Sequence, residues 1–252
     1  MCVLAFAWRA HPRWHLVAAG NRDELHARPA APLGRWDDGS GIIAGRDLQS
    51  GGSWMGVSEQ GRFAVVTNLR GYGPPQPKRV SRGALVSDPL AGRGRFAELR
   101  TDELAAFNPF NLIVADGDRA DFLTNRPEPL RRRLEPGVYG LSNGPLDAPW
   151  PKTLRLKEGL SAWLDEPHAG TEALLALLRD DSLPADATEI APSDVPDEPP
   201  LSSIFIRHPL YGTRCSTVVA VDDQGEGLIV ERQYRGDGEA DGDTSLAFRW
   251  DI

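Results

Sequence analysis

Apolar and polar positions alternate in short blocks along the chain. Residues 2–8 form an unbroken apolar run, and residues 14–20 form a second β-rich run across an Arg-Ala-His-Pro-Arg loop whose proline lies outside both. Short strands are predicted at residues 42–44, 53–57 and 62–68, punctuated by Gly51-Gly52 and Gly61. Between residues 81 and 104 the spacing turns helical, with Leu85, Val86 and Leu90 and then Phe96, Leu99 and Leu104; Pro89 and Gly92 divide it into two short helices. Strands return at 110–115 and 121–124 around Asp116-Gly117-Asp118, a hairpin turn signal, and again at 138–142. Pro151 opens a helix with Leu154, Leu156, Leu160 and Leu164 as its stripe, and Thr171 caps another run to Leu178. The last strands fall at 215–221, 227–233 and 246–250, with an acidic Gly-rich loop over 235–243.

Strands, helices, strands, helices, strands, without βαβ alternation, predict an α+β fold. Two antiparallel sheets packed together and covered by helices use all of these elements. The chain has 252 residues, enough for one layered domain spanning 1–252. Its net charge of −8 argues against a nucleic-acid surface. That acidity is local: residues 180–200 hold seven acids and five prolines with no Lys or Arg, and 237–243 hold four acids, so the remainder, with 28 Lys and Arg, is mildly basic. Residues 180–200 are expected to form an exposed, flexible acidic loop. No apolar run approaches the roughly 20 residues of a membrane span, and Arg9 follows the first apolar run where a secretory signal would have its basic residue before it, so a cytoplasmic protein is expected.

Two cysteines, Cys2 and Cys215, exclude a disulfide framework or zinc cluster. The histidines, His11, His15, His26, His168 and His208, show no ligand spacing, so no metal is expected. No phosphate-binding glycine motif occurs. Cys2 is the most informative residue, because removal of Met1 would give it a free α-amine. Thiol and amine, with ordinary pKa values of about 8.5 and 7.7–8.0, then supply nucleophile and base from one residue. The commoner role of a lone cysteine is packing. Asn21-Arg22-Asp23-Glu24 follows the second strand; such a run is usually a solvated turn, but a hairpin returns it to the start of the first strand, beside Cys2. Asn68 and Asn143 lie at predicted strand ends, where a side-chain amide can donate to a developing oxyanion, although turn roles are commoner.

Met1-Cys2 with its strand, Asn21-Arg22-Asp23-Glu24, Gly51-Gly52-Ser53-Trp54-Met55-Gly56, Thr67-Asn68, the block from Gly140 through Asn143 to Lys152, and Tyr211-Gly212-Thr213-Arg214 together resemble the NRDE family, related to the transport and Golgi organisation protein 2 family. The resemblance implies an N-terminal-nucleophile hydrolase fold, a four-layer αββα sandwich, and kinship with cysteine enzymes that cleave non-peptide C–N amide bonds. It implies Cys2 as nucleophile, Asp23 as the carboxylate orienting its amine, Asn143 as an oxyanion-hole residue, and Arg214 as the late arginine near the nucleophile. Arg22, with Asn21, Asn68 and Trp54 as substrate-contacting residues, completes the expected site. The acylase pattern Arg-Asn-x-Asp reads here Gly20-Asn21-Arg22-Asp23; Arg22 shares a strand face with position 20 and can supply the charge from there. The expected ligand is a small-molecule amide, with no cofactor. The alternatives are a non-catalytic module binding a hydrophobic ligand such as haem, and an interaction protein acting through the acidic loop.

Overall fold

The computed structural model describes residues 2–166, 170–183, 193–194, 197–199 and 202–252. Met1, His168 and most of the acidic stretch between 184 and 201 lie outside them. One sheet has six antiparallel strands in the order β10 (Gly137–Leu141), β1 (Cys2–His11), β2 (Trp14–Leu25), β11 (Tyr211–Asp222), β12 (Glu226–Tyr234) and β13 (Ala240–Arg249). The other is a seven-stranded antiparallel meander: β3 (Ala30–Arg35), β4 (Ile42–Asp47), β5 (Met55–Ser58), β6 (Arg62–Asn68), β7 (Phe110–Asp116), β8 (Arg119–Thr124) and β9 (Leu130–Arg133).

The unbroken apolar run of β1 follows from burial on both faces. Leu4, Phe6 and Trp8 point into the core between the sheets, with Leu16 and Ala18 of β2 and Val57, Phe63 and Val65 of the meander. Phe6 and Phe63 stack across that core at 5.4 Å. The alternate residues Val3, Ala5 and Ala7 pack on α2 (Pro151–Asp165) through Leu156, Leu160 and Trp163, and α3 (Thr171–Leu177) adds Leu174 and Leu175. On the far side, α1 (Ala84–Ala91) lays Leu85, Val86 and Leu90 on Ala64, Val66 and Leu112 of the meander. The layers are therefore α, β, β, α, as expected. Polar ties also cross between sheets: buried Glu231 accepts from the Leu33 main-chain N–H at 2.7 Å, and the Trp250 indole donates to the Ser58 carbonyl at 2.8 Å. Among the described residues no helix is long and apolar enough to cross a membrane.

The structure departs from the expected elements where pairing overrides local pattern. β3 and β9 lack apolar alternation because both are edge strands. Pro32 sits in β3, where the ladder shifts register between Ala31 and Gly34. β9 is exposed throughout, and Arg131 and Arg133 converge with Arg119 on buried Asp121. β13 starts at Ala240, inside the expected loop 235–243, because it pairs with β12 from Tyr234. Gly170, not Thr171, is the N-cap of α3. In the acidic stretch, the expectation of exposure fails at Glu198, which is buried against Arg70 at 3.1 Å, and Asp194 accepts from the main-chain N–H groups of Tyr72 and Gly73.

Gly20 has a packing reason. A Cβ there would lie 2.8 Å from the Val3 carbonyl oxygen and 3.0 Å from a Leu4 methyl, so the position accepts no side chain. Gly20→Ala is expected to destabilise the protein by about 1–3 kcal/mol through overpacking, read as a lowered denaturant midpoint. An unchanged midpoint would refute the close approach.

Candidate active site

The register of three neighbouring strands assembles the candidate residues. Cys2 of β1 pairs with Arg22 of β2, which pairs in turn with Cys215 of β11. The Asn21-Arg22-Asp23-Glu24 run is thus strand, not turn. Successive side chains take opposite faces. Arg22 points toward the meander, where it meets Asp47 of β4 at 3.2 Å, and Arg28 reaches the same carboxylate at 2.6 Å. Asn21 points the other way: its amide donates at 2.8 Å to the carbonyls of Leu178 and Ile204 and accepts from the Ser216 hydroxyl. It fastens β2 to the helical layer and does not line the cleft, which corrects its expected place in the site.

Asp23 is buried. The Thr213 hydroxyl donates to its Oδ1 at 2.7 Å, and the Tyr211 hydroxyl donates to its carbonyl oxygen at 2.9 Å. On the other side of Cys2 the ends of β6 and β10 are stitched together. The Cys2 main-chain N–H donates to Asn143 Oδ1 at 3.2 Å, while Asn143 Nδ2 donates to the Asn68 carbonyl at 2.9 Å. The Ser142 hydroxyl donates to the Cys2 carbonyl at 2.7 Å, the Thr67 hydroxyl to the Ser142 carbonyl at 2.7 Å, and the Arg70 N–H to the Asn143 carbonyl at 2.9 Å. Asn143 therefore touches the nucleophile candidate, but its donor is already engaged by Asn68.

A cleft of about 430 Å³ opens here, lined among others by Cys2, Arg22, Asp23, Trp54, Asn68 and Arg214. Arg214 lies in its wall with Nη1 donating to the carbonyls of Leu25 and Arg28, each at 2.9 Å. The Trp54 indole N–H is buried without a hydrogen-bond partner among the described residues. Residues that sequence reasoning did not select are Asp47, Arg82, Lys152 and Glu198. Asp47 and Arg82 line the cleft. Lys152, first turn of α2, is buried and donates to the Ser202 hydroxyl at 2.8 Å. Lys152 closes the Gly140-to-Lys152 block, the one signal that pointed to it; Glu198 was hidden in a stretch whose composition reads as solvated.

Burial dominates the electrostatics. It pushes the Cys2 thiol above its ordinary value, helped by the Asp23 charge and opposed by Arg22, whose guanidinium does not outweigh burial. Burial likewise lifts Asp23 to about 6, against the pull of Lys152 and Thr213, and drops Lys152 to about 8 despite the attraction of Asp23.

An αββα sandwich with a cysteine at the start of an internal strand, beside a polar cleft between the sheets, is the architecture of the N-terminal-nucleophile-hydrolase fold. Solved structures agree on the fold. A Caenorhabditis elegans N-acylethanolamine-hydrolyzing acid amidase ortholog superposes with a TM-score of 0.51 at 13% identity, covering 86% of this chain and 92% of that one. A conjugated bile acid hydrolase mutant from Clostridium perfringens gives 0.51 at 8%, covering 97% and 92%. The family model for Transport and Golgi organisation 2 matches residues 1–236, and the chain belongs to that family. It is 33% identical to the Transport and Golgi organization protein 2 homolog of Bos taurus, over 94% of each chain, 31% identical to that of Homo sapiens, over 92% of each, and 25% identical to the Drosophila melanogaster protein, over 94% of this chain and 93% of that one.

The two shifted groups give stability a pH signature. Asp23 titrates near 6 when folded and near 3.8 when unfolded, so between these values the native state holds the extra proton and stability falls as pH rises. Lys152 titrates near 8 when folded against 10.5, so across that window the unfolded state holds the extra proton and stability rises with pH. Asp23→Asn is expected to remove a fall on the order of 2–3 kcal/mol over the acid window, and Lys152→Met to flatten the alkaline rise, both in denaturant titrations at a series of pH values. Slopes that match the wild type would contradict the assignment.

Proposed function

We propose that the protein is an N-terminal cysteine amidohydrolase acting in the cytoplasm on a non-peptide C–N amide bond. The observation that carries this reading is the convergence of Cys2, Arg22 and Asp23 in one cleft, with Asn143 bonded to the Cys2 main chain behind it. Two structural neighbours, one named an acid amidase and the other a conjugated bile acid hydrolase, support it through the fold.

Removal of Met1 frees the Cys2 α-amine. A thiol held up by burial is protonated at rest, so it needs a base at the moment of attack, and the amine of the same residue is within reach. Sulfur attacks the amide carbon as the amine accepts the thiol proton. The tetrahedral intermediate collapses when the amine returns that proton to the leaving nitrogen, expelling a free amine and leaving a Cys2 thioester. Water, deprotonated by the same α-amine, then releases the acid and restores the thiol. Asp23 orients the amine through its charge, with its Oδ1 anchored by the Thr213 hydroxyl. Asn143 stabilises the oxyanion once its amide exchanges the Asn68 carbonyl for substrate, and Asn68 and the partnerless Trp54 indole contribute from the cleft wall. Arg22 and Arg214 contribute positive charge. The charged lining favours a polar amide over a hydrophobic ligand such as haem.

Intact-mass measurement combined with thiol-electrophile labelling tests the reading. The expected result is loss of Met1, labelling at Cys2, turnover of members of a short-chain amide panel, and its abolition in Cys2→Ala. Asn143→Ala is expected to lower kcat by roughly 10²–10³, the scale of an oxyanion-hole donor. Met1 retained in active protein would sink the mechanism.

A further inference from the structure

The cleft carries six arginines, Arg22, Arg28, Arg46, Arg79, Arg82 and Arg214, against four carboxylic acids. Asp47 occupies Arg22 and Arg28. The other four meet only neutral groups among the described residues: Arg46 donates to the Gly51 carbonyl, Arg79 to Gln76 and the Ala105 carbonyl, Arg82 to the Pro109 carbonyl at 3.1 Å, and Arg214 to two carbonyls. Arg46 and Arg79 make these contacts at the exposed rim, but the Arg82 and Arg214 contacts are partly buried, and a guanidinium drawn away from water without a counter-charge is costly. Arg22 adds a sharper sign. It is nine-tenths buried, lines the same cleft, and its Nη1 has no hydrogen-bond partner among the described residues.

Arg82 is held in place by backbone. It precedes Gly83, and Gly83 packs directly on Gly52: a Cβ on Gly52 would lie 2.5 Å from the Gly83 carbonyl carbon, and one on Gly83 would lie 2.9 Å from the Gly52 Cα. This contact ties the entry of α1 to the Gly51-Gly52-Ser53-Trp54 segment and keeps Arg82 half-buried in the wall of the cleft that Cys2 also lines. Four of its five N–H donors are not used by a described residue.

We infer that Arg82, with the partnerless nitrogen of Arg22, forms an oxyanion seat beside Cys2, so that the substrate is a small amide bearing a carboxylate or phosphate close to the scissile bond. This rests on the amidohydrolase reading for its use, but the seat itself is a binding property. A planar guanidinium offers parallel N–H groups that match two oxygens of either anion. Seating that charge would neutralise the excess of arginines and fix the register of the amide against the thiol.

Binding to Cys2→Ala, which cannot turn over, separates the two ideas. Three probes of matched size serve, N-butanoylglycine, N-butanoyl-phosphoethanolamine and the neutral N-butanoylglycinamide, each titrated calorimetrically at low and high salt. The seat requires that at least one anionic probe bind roughly tenfold or more tighter than the neutral one, the scale of a charge-assisted hydrogen bond, and that salt erode the difference. Which anion prefers the site distinguishes carboxylate from phosphate. Adding Arg82→Met should erase the preference, and Arg82→Lys, which keeps charge but loses the fork, should retain part of it; the lysine variant also serves if the methionine variant does not fold. Equal binding of charged and neutral probes, no binding of any probe, or a preference that survives Arg82→Met would overturn the seat. A preserved preference with no amide cleavage by the wild type would leave the seat standing and remove the hydrolase reading. Cleavage of neutral and acidic amides with equal kcat/KM would do the reverse.

Discussion

The seam between the ends of β6 and β10 is the constraint on which the cleft depends. Asn143 sits in it with one side-chain atom on the main chain of Cys2 and the other on the Asn68 carbonyl, so a single buried amide joins the first strand of one sheet to the last residue of a strand in the other. The Thr67 and Ser142 hydroxyls and the Arg70 N–H run alongside it. Because each of these polar groups is removed from water, each must be satisfied locally, and losing one partner strands the other. The seam therefore fixes the separation of the sheets at this end of the sandwich, and with it the width of the cleft and the position of the thiol.

Buried charge is the second organising feature. Arg70 and Glu198 form an ion pair almost wholly out of contact with water, and Lys152 and Asp23 lie in the same buried region. A pair of this kind is weak evidence for stability, since desolvation offsets most of the attraction. Its retention next to a thiol, together with an aspartate lifted to about 6 and a lysine lowered to about 8, is the pattern of a site whose protonation states are set by burial. A packing core would have favoured apolar residues in these places.

The comparison with the amidase and hydrolase neighbours reaches only as far as the fold, because identities of 8–13% leave the site free to differ. One difference has a physical basis. Where the acylase pattern has arginine, β1 runs so close to Gly20 that no side chain fits. The guanidinium enters two residues later, at Arg22 on the same strand face, and is anchored from the opposite sheet by Asp47. The charge near Cys2 is kept while its origin is displaced along the strand.

By itself the sequence determined the long buried elements. The β1 run, the β6 and β7 strands, the hairpin at Asp116-Gly117 and the leucine stripe of α2 are visible because burial on one or two faces imposes a period on the residues themselves. It also determined which segments approach Cys2, since the blocks around Asn21, Asn68, Asn143 and Arg214 all reach the same end of the sandwich. Only the tertiary structure decided what each side chain does there. Asn21 and Arg22 are neighbours in sequence, yet a two-residue period sends one to the helices and the other to the cleft. The edge strands β3 and β9 have no apolar face to announce them. Glu198 reads as a solvated acid until Arg70, 128 residues away in the chain, removes it from water. Local pattern reports burial, which a residue shares with its sequence neighbours; charge pairing and site geometry depend on partners that only the folded chain brings within reach.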